Sequence, residues 1–220
     1  MKTFKILLAF VVAFGLIIGM GACQKQQQEP QPAAQEQAAD EQAVPVRTLV
    51  VATDATWPPM EMVDQDKNIV GFDIDFLNAV AQEAGFNVEF KNTAWDGIFG
   101  GLDLGNYDAV ISSVTITDER KKTYDFSLPY INAGQVLTIP VGVEGVTTLA
   151  DMKGKAVGAQ IGTTGAMEVK KIEGVEAKNY DEIGLAFEDM AAGRIQGVVC
   201  DTPVAADYAL QRAEYKEKFK

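Results

Sequence analysis

The run YDAVISSVTITDER, residues 107–120, decides how this chain is read. An apolar strand-like segment leaves through Ser112 and Ser113, and Thr117 then stands as the N-cap of a helix with Asp118 and Glu119 in its first turn. Arg120 follows directly, where the positive end of a helix offers a cation least. Side chains lean back toward a helix N-terminus, so the guanidinium can reach over Ser113 and Thr115. Beside a hydroxyl and free amides it suits bidentate capture of a carboxylate. The same letters also describe a solvated basic face, with Arg120, Lys121 and Lys122 balanced by Asp118 and Glu119.

Upstream of this run, RTLVVATD reads as a strand that ends at Asp54. A helix follows on Ile74, Leu77 and Ala81, flanked by Phe76, Val80 and Ala84, and closes at Gly85. NVEF is a second strand, a helix spans about 96–104 and stops at Gly105, and YDAVISS is a third strand. This βαβαβ order predicts a mostly parallel sheet with helices on its faces, whose ligands gather at the carboxyl ends of the strands. Downstream the plan repeats. KAVGAQI is a strand, GTTG a tight turn into a helix near 166–172, VEAKNY a strand, DEIGLAFEDMAAG a helix closed by Gly193, and IQGVVCD a strand. Laying Gly105 over Gly193 matches Ser112 to Cys200 and Ser113 to Asp201, so each half presents polar groups at a strand end.

Several side chains at those ends carry two readings. Asp201 follows Val198 and Val199 directly, where a carboxylate either pairs with an ammonium group or N-caps the helix beginning near Pro203. Trp57 and Trp95 lie in loops, and either wall a ligand or lid their own lobe's core. The GTTG turn opens a helix and offers backbone N–H groups to an anion.

The chain has 220 residues, 47% hydrophobic, and a net charge of −12. That balance argues against a nucleic-acid partner. There is no histidine, which removes Ser-His triads, histidine general bases and His-rich metal sites. No cofactor and no metal site are expected.

The N-terminus reads as a targeting segment, residues 1–22. Lys2 and Lys5 precede an uncharged apolar run from Ile6 that ends in GMGAC. The alternative is a permanent anchor, since Ile6 to Ala22 is at the lower limit for spanning a bilayer. The stretch resembles a bacterial lipobox and implies lipidation at Cys23, so the membrane would hold the chain through a lipid. Residues 23–46, rich in Gln, Glu, Ala and Pro, read as a flexible tether. With Cys23 lipidated, Cys200 has no disulfide partner and is a small buried hydrophobe.

ATDATWPPME, IVGFDIDF, AWDGIFGGL, YDAVISSVTITDERKKTYDFSLPY, GTTG and VVCDTP together resemble the bacterial extracellular solute-binding proteins of family 3, the polar amino-acid receptors of ABC importers. The likeness runs from about Thr48 to the end. It implies a two-lobed α/β fold of the type II periplasmic-binding-protein kind, each lobe a mostly parallel sheet flanked by helices. Lobe 1 would be residues 47–134 and the hinge strand with lobe 2 residues 135–220, with a hinge near 133–136. It further implies that Arg120 and Thr115, with backbone at Thr164 and with Thr163 nearby, hold a ligand's α-carboxylate. Asp201 and the Ser113 carbonyl would hold its α-ammonium. Asp54, Trp57, Asp73, Trp95, Ser112 and Gln160 would surround its side chain.

Relatives place a lysine at the position of Gln160 when they bind glutamine. Gln160 with Asp54 and Asp73 instead suits a cationic side chain such as arginine or lysine, with glutamine as the alternative and a dehydratase on the same fold as a lesser one. The implied protein is a monomeric, lipid-anchored periplasmic or cell-surface receptor, not an enzyme. It would deliver a polar L-amino acid to an inner-membrane ABC permease. Relatives continue beyond TPVAADYALQRAEYKEKFK with a return to the first lobe, so this chain is expected to be truncated at Lys220 and to expose apolar surface on lobe 1.

Overall fold

A computed structural model describes residues 45–220. The expected signal peptide, residues 1–22, Cys23 and all but the end of the tether lie outside the described residues.

In chain order, strand β1 (Thr48–Thr53) leads into three short strands, β2 (Thr56–Trp57), β3 (Glu61–Val63) and β4 (Ile69–Val70). Helix α1 (Phe72–Ala84), strand β5 (Asn87–Asn92), helix α2 (Trp95–Asp103) and strand β6 (Ala109–Val110) complete the first half. β1 pairs in parallel with β5 on one side and β6 on the other, giving the sheet order β5-β1-β6. β2, β3 and β4 form a separate antiparallel ribbon. These strands are too short to show a period in the sequence.

The second half opens with β7 (Gln135–Thr138), then β8 (Ala156–Gln160), α3 (Thr164–Lys171), β9 (Glu176–Tyr180), α4 (Ile183–Ala191), β10 (Gly197–Asp201) and α5 (Thr202–Ala206). Its sheet order is β7-β10-β8-β9, parallel except for β7, which runs antiparallel to β10. β8 and β10 are buried along their whole length, as a parallel sheet covered on both faces requires. α3 approaches β10 so closely that a Cβ at Gly165 would lie 2.8 Å from the Val199 carbonyl oxygen. At the chain end, Ile139 and Lys220 exchange backbone hydrogen bonds of 2.9 Å, placing the last residues beside the segment that follows β7.

The structure corrects the sequence reading in two places that bear on the site. YDAVISS is not a strand throughout, because only Ala109 and Val110 pair with β1. Beyond Ile111 the polar groups of Ser112 and Ser113 bond side chains and the Asp54 backbone instead of a ladder. The helix expected after Thr117 is a single 3₁₀ turn, Arg120–Lys122. Thr117 still caps it, its Oγ1 accepting from the Arg120 N–H at 3.1 Å. The following DFSLP stretch, with Ser127 and Pro129, does not favour its continuation.

The apolar cores follow the lobes, with one exception. Ala52, Trp95, Ile98 and Tyr107 cluster in the first half. Trp57 and Met60, although from the first half, pack into the second half's cluster with Phe187, Val204 and Tyr208.

Candidate functional site

A cleft opens between the carboxyl ends of the parallel strands in the β1 and β8 sheets, the position expected for ligands of such sheets. From the first half it is lined by Asp54, Trp57, Trp95, Ser112, Ser113, Thr115 and Arg120. The second half contributes Gln135, Gln160, Thr163, Thr164 and Asp201. Most of the lining residues sit at or just past a strand end, or at a helix start.

Arg120 turns away from its basic neighbours. Lys121 and Lys122 pair with Asp118 at 3.2 Å and Glu119 at 2.5 Å in solvent, so the solvated-face reading holds for the lysines alone. The Arg120 guanidinium lies over the Trp95 and Phe99 rings, 5.4 and 5.2 Å from their centroids. Its Nη1 donates to the Thr115 carbonyl at 2.9 Å, and its Nη2 reaches across the cleft to the Gly162 carbonyl at 3.3 Å. Burial lowers its pKa from the ordinary arginine value, opposed by the charge of Asp201.

Asp201 ends β10 and is 6% exposed. It does not cap α5. Its carboxylate accepts instead from Trp57 Nε1 at 3.3 Å and from Gln135 Nε2. Burial raises its pKa above the usual carboxylate value, while the bonds from Gln135 and Trp57 and the charge of Arg120 pull it down. Neither Arg120 nor Asp201 makes an ion pair among the described residues. Two opposite charges therefore face one cleft, each held by neutral groups.

The tryptophans resolve differently. Trp57 is not a lid on its own lobe, since it packs on the other half and bonds Asp201. Trp95 does both jobs: it belongs to the first half's core and shows a face to the cleft. On the floor, Gln160 Nε2 donates 2.8 Å bonds to Asp54 Oδ2 and to the Asp181 carbonyl. Thr56 Oγ1 gives Asp54 a further bond at 2.8 Å. Burial raises the Asp54 pKa against these donors. Thr115 and Thr164 hydroxyls meet at 3.2 Å across the cleft. Thr163 N-caps α3, its Oγ1 accepting from the Ala166 N–H at 3.2 Å, which leaves the first amides of α3 open to an anion.

Asp73 is the exception among the expected binding residues, for it does not line the cleft. Its Oδ2 accepts from the Ser113 N–H at 2.6 Å, the Ser113 Oγ at 3.3 Å and the Tyr130 O–H at 2.9 Å. The carboxylate stands behind the serines and holds Ser113 at φ 47°, a left-handed conformation uncommon for a residue with a side chain. Sequence reasoning also missed Gln135, which bonds both Asp201 and Thr164. Its signal was a lone amide side chain opening the apolar run VLTI. Glu61 was missed too. It is fully buried between Met60 and Met62 and accepts from Ser112 Oγ at 2.7 Å. No helix among the described residues is long and apolar enough to cross a membrane.

The family described as bacterial extracellular solute-binding proteins, family 3, matches residues 49–193. The L-cystine-binding protein TcyJ of Escherichia coli (strain K12) is 37% identical over 162 residues, 73% of this chain and 61% of its own. The ABC transporter arginine-binding protein 1 of the same organism is 37% identical over 155 residues, 70% of this chain and 63% of its own. The chain thus spans about three fifths of the length of these curated relatives. Among solved structures, an ancestral arginine-binding protein bound to arginine superposes with a TM-score of 0.75 at 43% identity, covering 79% of this chain and 77% of the other. The ancestral protein bound to glutamine gives 0.74 at 43%, covering 79% and 76%.

Proposed function

The chain belongs to the bacterial extracellular solute-binding proteins of family 3, and from that premise we propose that it captures a polar amino acid with a cationic side chain, arginine or lysine, for an ABC importer. The observation that carries this reading is the pair of unpaired opposite charges on one cleft, Arg120 from the first half and Asp201 from the second. A zwitterion satisfies both at once: the guanidinium takes the α-carboxylate with Thr115 and the first amides of α3, and Asp201 takes the α-ammonium with the Ser113 carbonyl. Relatives named as arginine-binding proteins support the same class.

Charge balance selects the side chain. The cleft is lined by two carboxylates, Asp54 and Asp201, against one guanidinium. A ligand with a net positive charge leaves the filled cleft neutral, whereas glutamine leaves one carboxylate uncompensated. Asp54 is the partner of the distal cation, with Trp57 and Trp95 as walls and Gln160 as a donor that yields Asp54 to the ligand. Glutamine is the second reading, favoured by the amide of Gln160 and by the ancestral protein's glutamine-bound form. An enzymatic role has no support in the cleft, whose carboxylates are held by amide, indole and hydroxyl donors in a chain without histidine.

Residues 47–134 and 135–220 act as the two lobes, with β7 next to the hinge. A ligand that touches both lobes binds their closed arrangement better and shifts the population toward it. The closed form then delivers its cargo to a membrane permease. The chain acts outside the cytoplasm, a monomer held to the membrane by a lipid on Cys23. Calorimetric titration with arginine, lysine, histidine and glutamine tests the reading. Heat with arginine or lysine, and a weaker response to glutamine, is expected. No heat with any of the four overturns it.

A further inference from the structure

Behind the cleft lies a polar group of residues that ligand binding leaves unexplained. Glu61 on β3 and Asp73 in the first turn of α1 are both 0% exposed, a rare state for carboxylates without a cation. Their side chains are hydrogen-bond neighbours. Each has one oxygen engaged by donors. Glu61 Oε1 takes Ser112 Oγ at 2.7 Å, and Asp73 Oδ2 takes the Ser113 N–H, Ser113 Oγ and Tyr130 O–H. Among the described residues, each has one oxygen that no donor reaches, Glu61 Oε2 and Asp73 Oδ1. Two neighbouring buried carboxylates, each with an unpartnered oxygen, make an arrangement that a folded protein avoids.

We propose that Glu61 and Asp73 share a single proton, and that this carboxyl–carboxylate pair is the positioning unit that sets Ser112 and Ser113 on the cleft floor. One proton, donated by Glu61 to Asp73, satisfies both orphaned oxygens and leaves one negative charge where two would repel. That charge rests on Asp73, the carboxylate with three donors. Among the described residues, the titratable groups facing the pair are Asp54 just past β1, Tyr130 in the segment before β7 and Asp201 across the cleft, and none is a cation. Burial, then the charge of Asp73, drives Glu61 well above its ordinary value, which agrees with a proton retained at neutral pH.

The pair acts through the serines. Ser113 is held at φ 47° by its two bonds to Asp73, and Ser112 Oγ ties Glu61 to the Asp54 N–H, which it accepts at 3.0 Å. Loss of the shared proton puts two charges in one dry site. The floor then relaxes, and the Ser113 carbonyl leaves the place proposed for the ligand's ammonium group. The positioning of a ligand rests on the amino-acid reading above; the proton does not.

The test separates the two. Infrared spectroscopy of the ligand-free protein at neutral pH should show the C=O stretch of a protonated carboxylic acid, absent in Glu61→Gln. The amide resonance of Ser113 should titrate together with that band as pH rises. Arginine affinity should fall about tenfold or more across the same alkaline transition. In Glu61→Gln, whose amide donates to Asp73 without titrating, affinity should be kept and its alkaline fall abolished. A wild-type protein without the acid band at neutral pH overturns the shared proton, whether or not the variant folds. A band that vanishes on titration while the Ser113 amide stays fixed overturns the positioning role. A band and a coupled amide with no heat from any amino acid leave the pair standing and remove the ligand reading instead.

Discussion

The two lobes build their walls of the cleft by different means. In the second, β8 and β10 are wholly buried and α4 closes over them with Ile183, Ala186 and Phe187, each 0% exposed. In the first, β5 has no buried residue, and α1 shows Phe72, Phe76 and Val80 to solvent while burying Asp73 beside Ile74. Apolar packing therefore places Asp201, whereas a hydrogen-bonded network of Glu61, Asp73, Ser112, Ser113 and Tyr130 places the floor on the Arg120 side. A packed wall resists displacement in proportion to the area it buries. A wall of buried polar bonds depends on every partner being satisfied.

That contrast breaks first at the core. Phe187 stacks on Tyr208 with centroids 4.1 Å apart, so Phe187→Ala should cost about 3–5 kcal/mol in denaturant unfolding. A cost below that of a surface change would refute the packed second wall. Removing the carboxylate in Asp73→Ala strands the Ser113 N–H and costs about 1–3 kcal/mol. It should also weaken arginine binding, the mark of a network serving the site. Trp57→Phe keeps the ring and removes the bond to Asp201, and should weaken binding by about 1 kcal/mol with little change in stability. Val80→Ser, on the exposed face of α1, should shift stability by no more than about 0.5 kcal/mol. A larger loss would show that this face is covered.

Acid sharpens the comparison further. On the proposed reading, arginine binding requires Asp201 ionised, and burial raises its pKa in the free protein. Affinity should therefore decline on acidification from a pH above the ordinary carboxylate range, and Asp201→Asn should bind weakly at every pH. Stability moves the other way. The folded chain holds protons on Glu61, Asp73 and Asp201 more tightly than the unfolded one, so these groups cost stability as pH rises from the ordinary carboxyl value to the raised ones. Glu61→Gln should flatten that part of the profile.

The alternation of apolar runs and helix-period stretches made the parallel strands of both sheets legible, because β1, β5, β8 and β10 are continuous apolar or alternating segments. The small ribbon of β2, β3 and β4 was not, since its order comes from packing around Trp57 and Met60. Arg120 was readable as a charge at a helix start and Asp201 as one at a strand end. What no local pattern announces is which side of a carboxylate faces the cleft. Asp73 and Asp54 look alike in sequence, yet the first turns to Ser113 and the second to Gln160. Gln135 becomes a site residue only because antiparallel pairing with β10 sets it opposite Asp201.

The most direct test compares two neighbouring cations. Arginine is titrated calorimetrically into Arg120→Ala and Lys122→Ala of the full chain, each checked for folding by circular dichroism. Arg120→Ala should lose about 2–5 kcal/mol of affinity, as removal of one member of a buried charge set does, while Lys122→Ala, whose partner is solvated, should stay within about 0.5 kcal/mol of the parent. Equal affinities in the two variants would contradict capture of the ligand's carboxylate by Arg120.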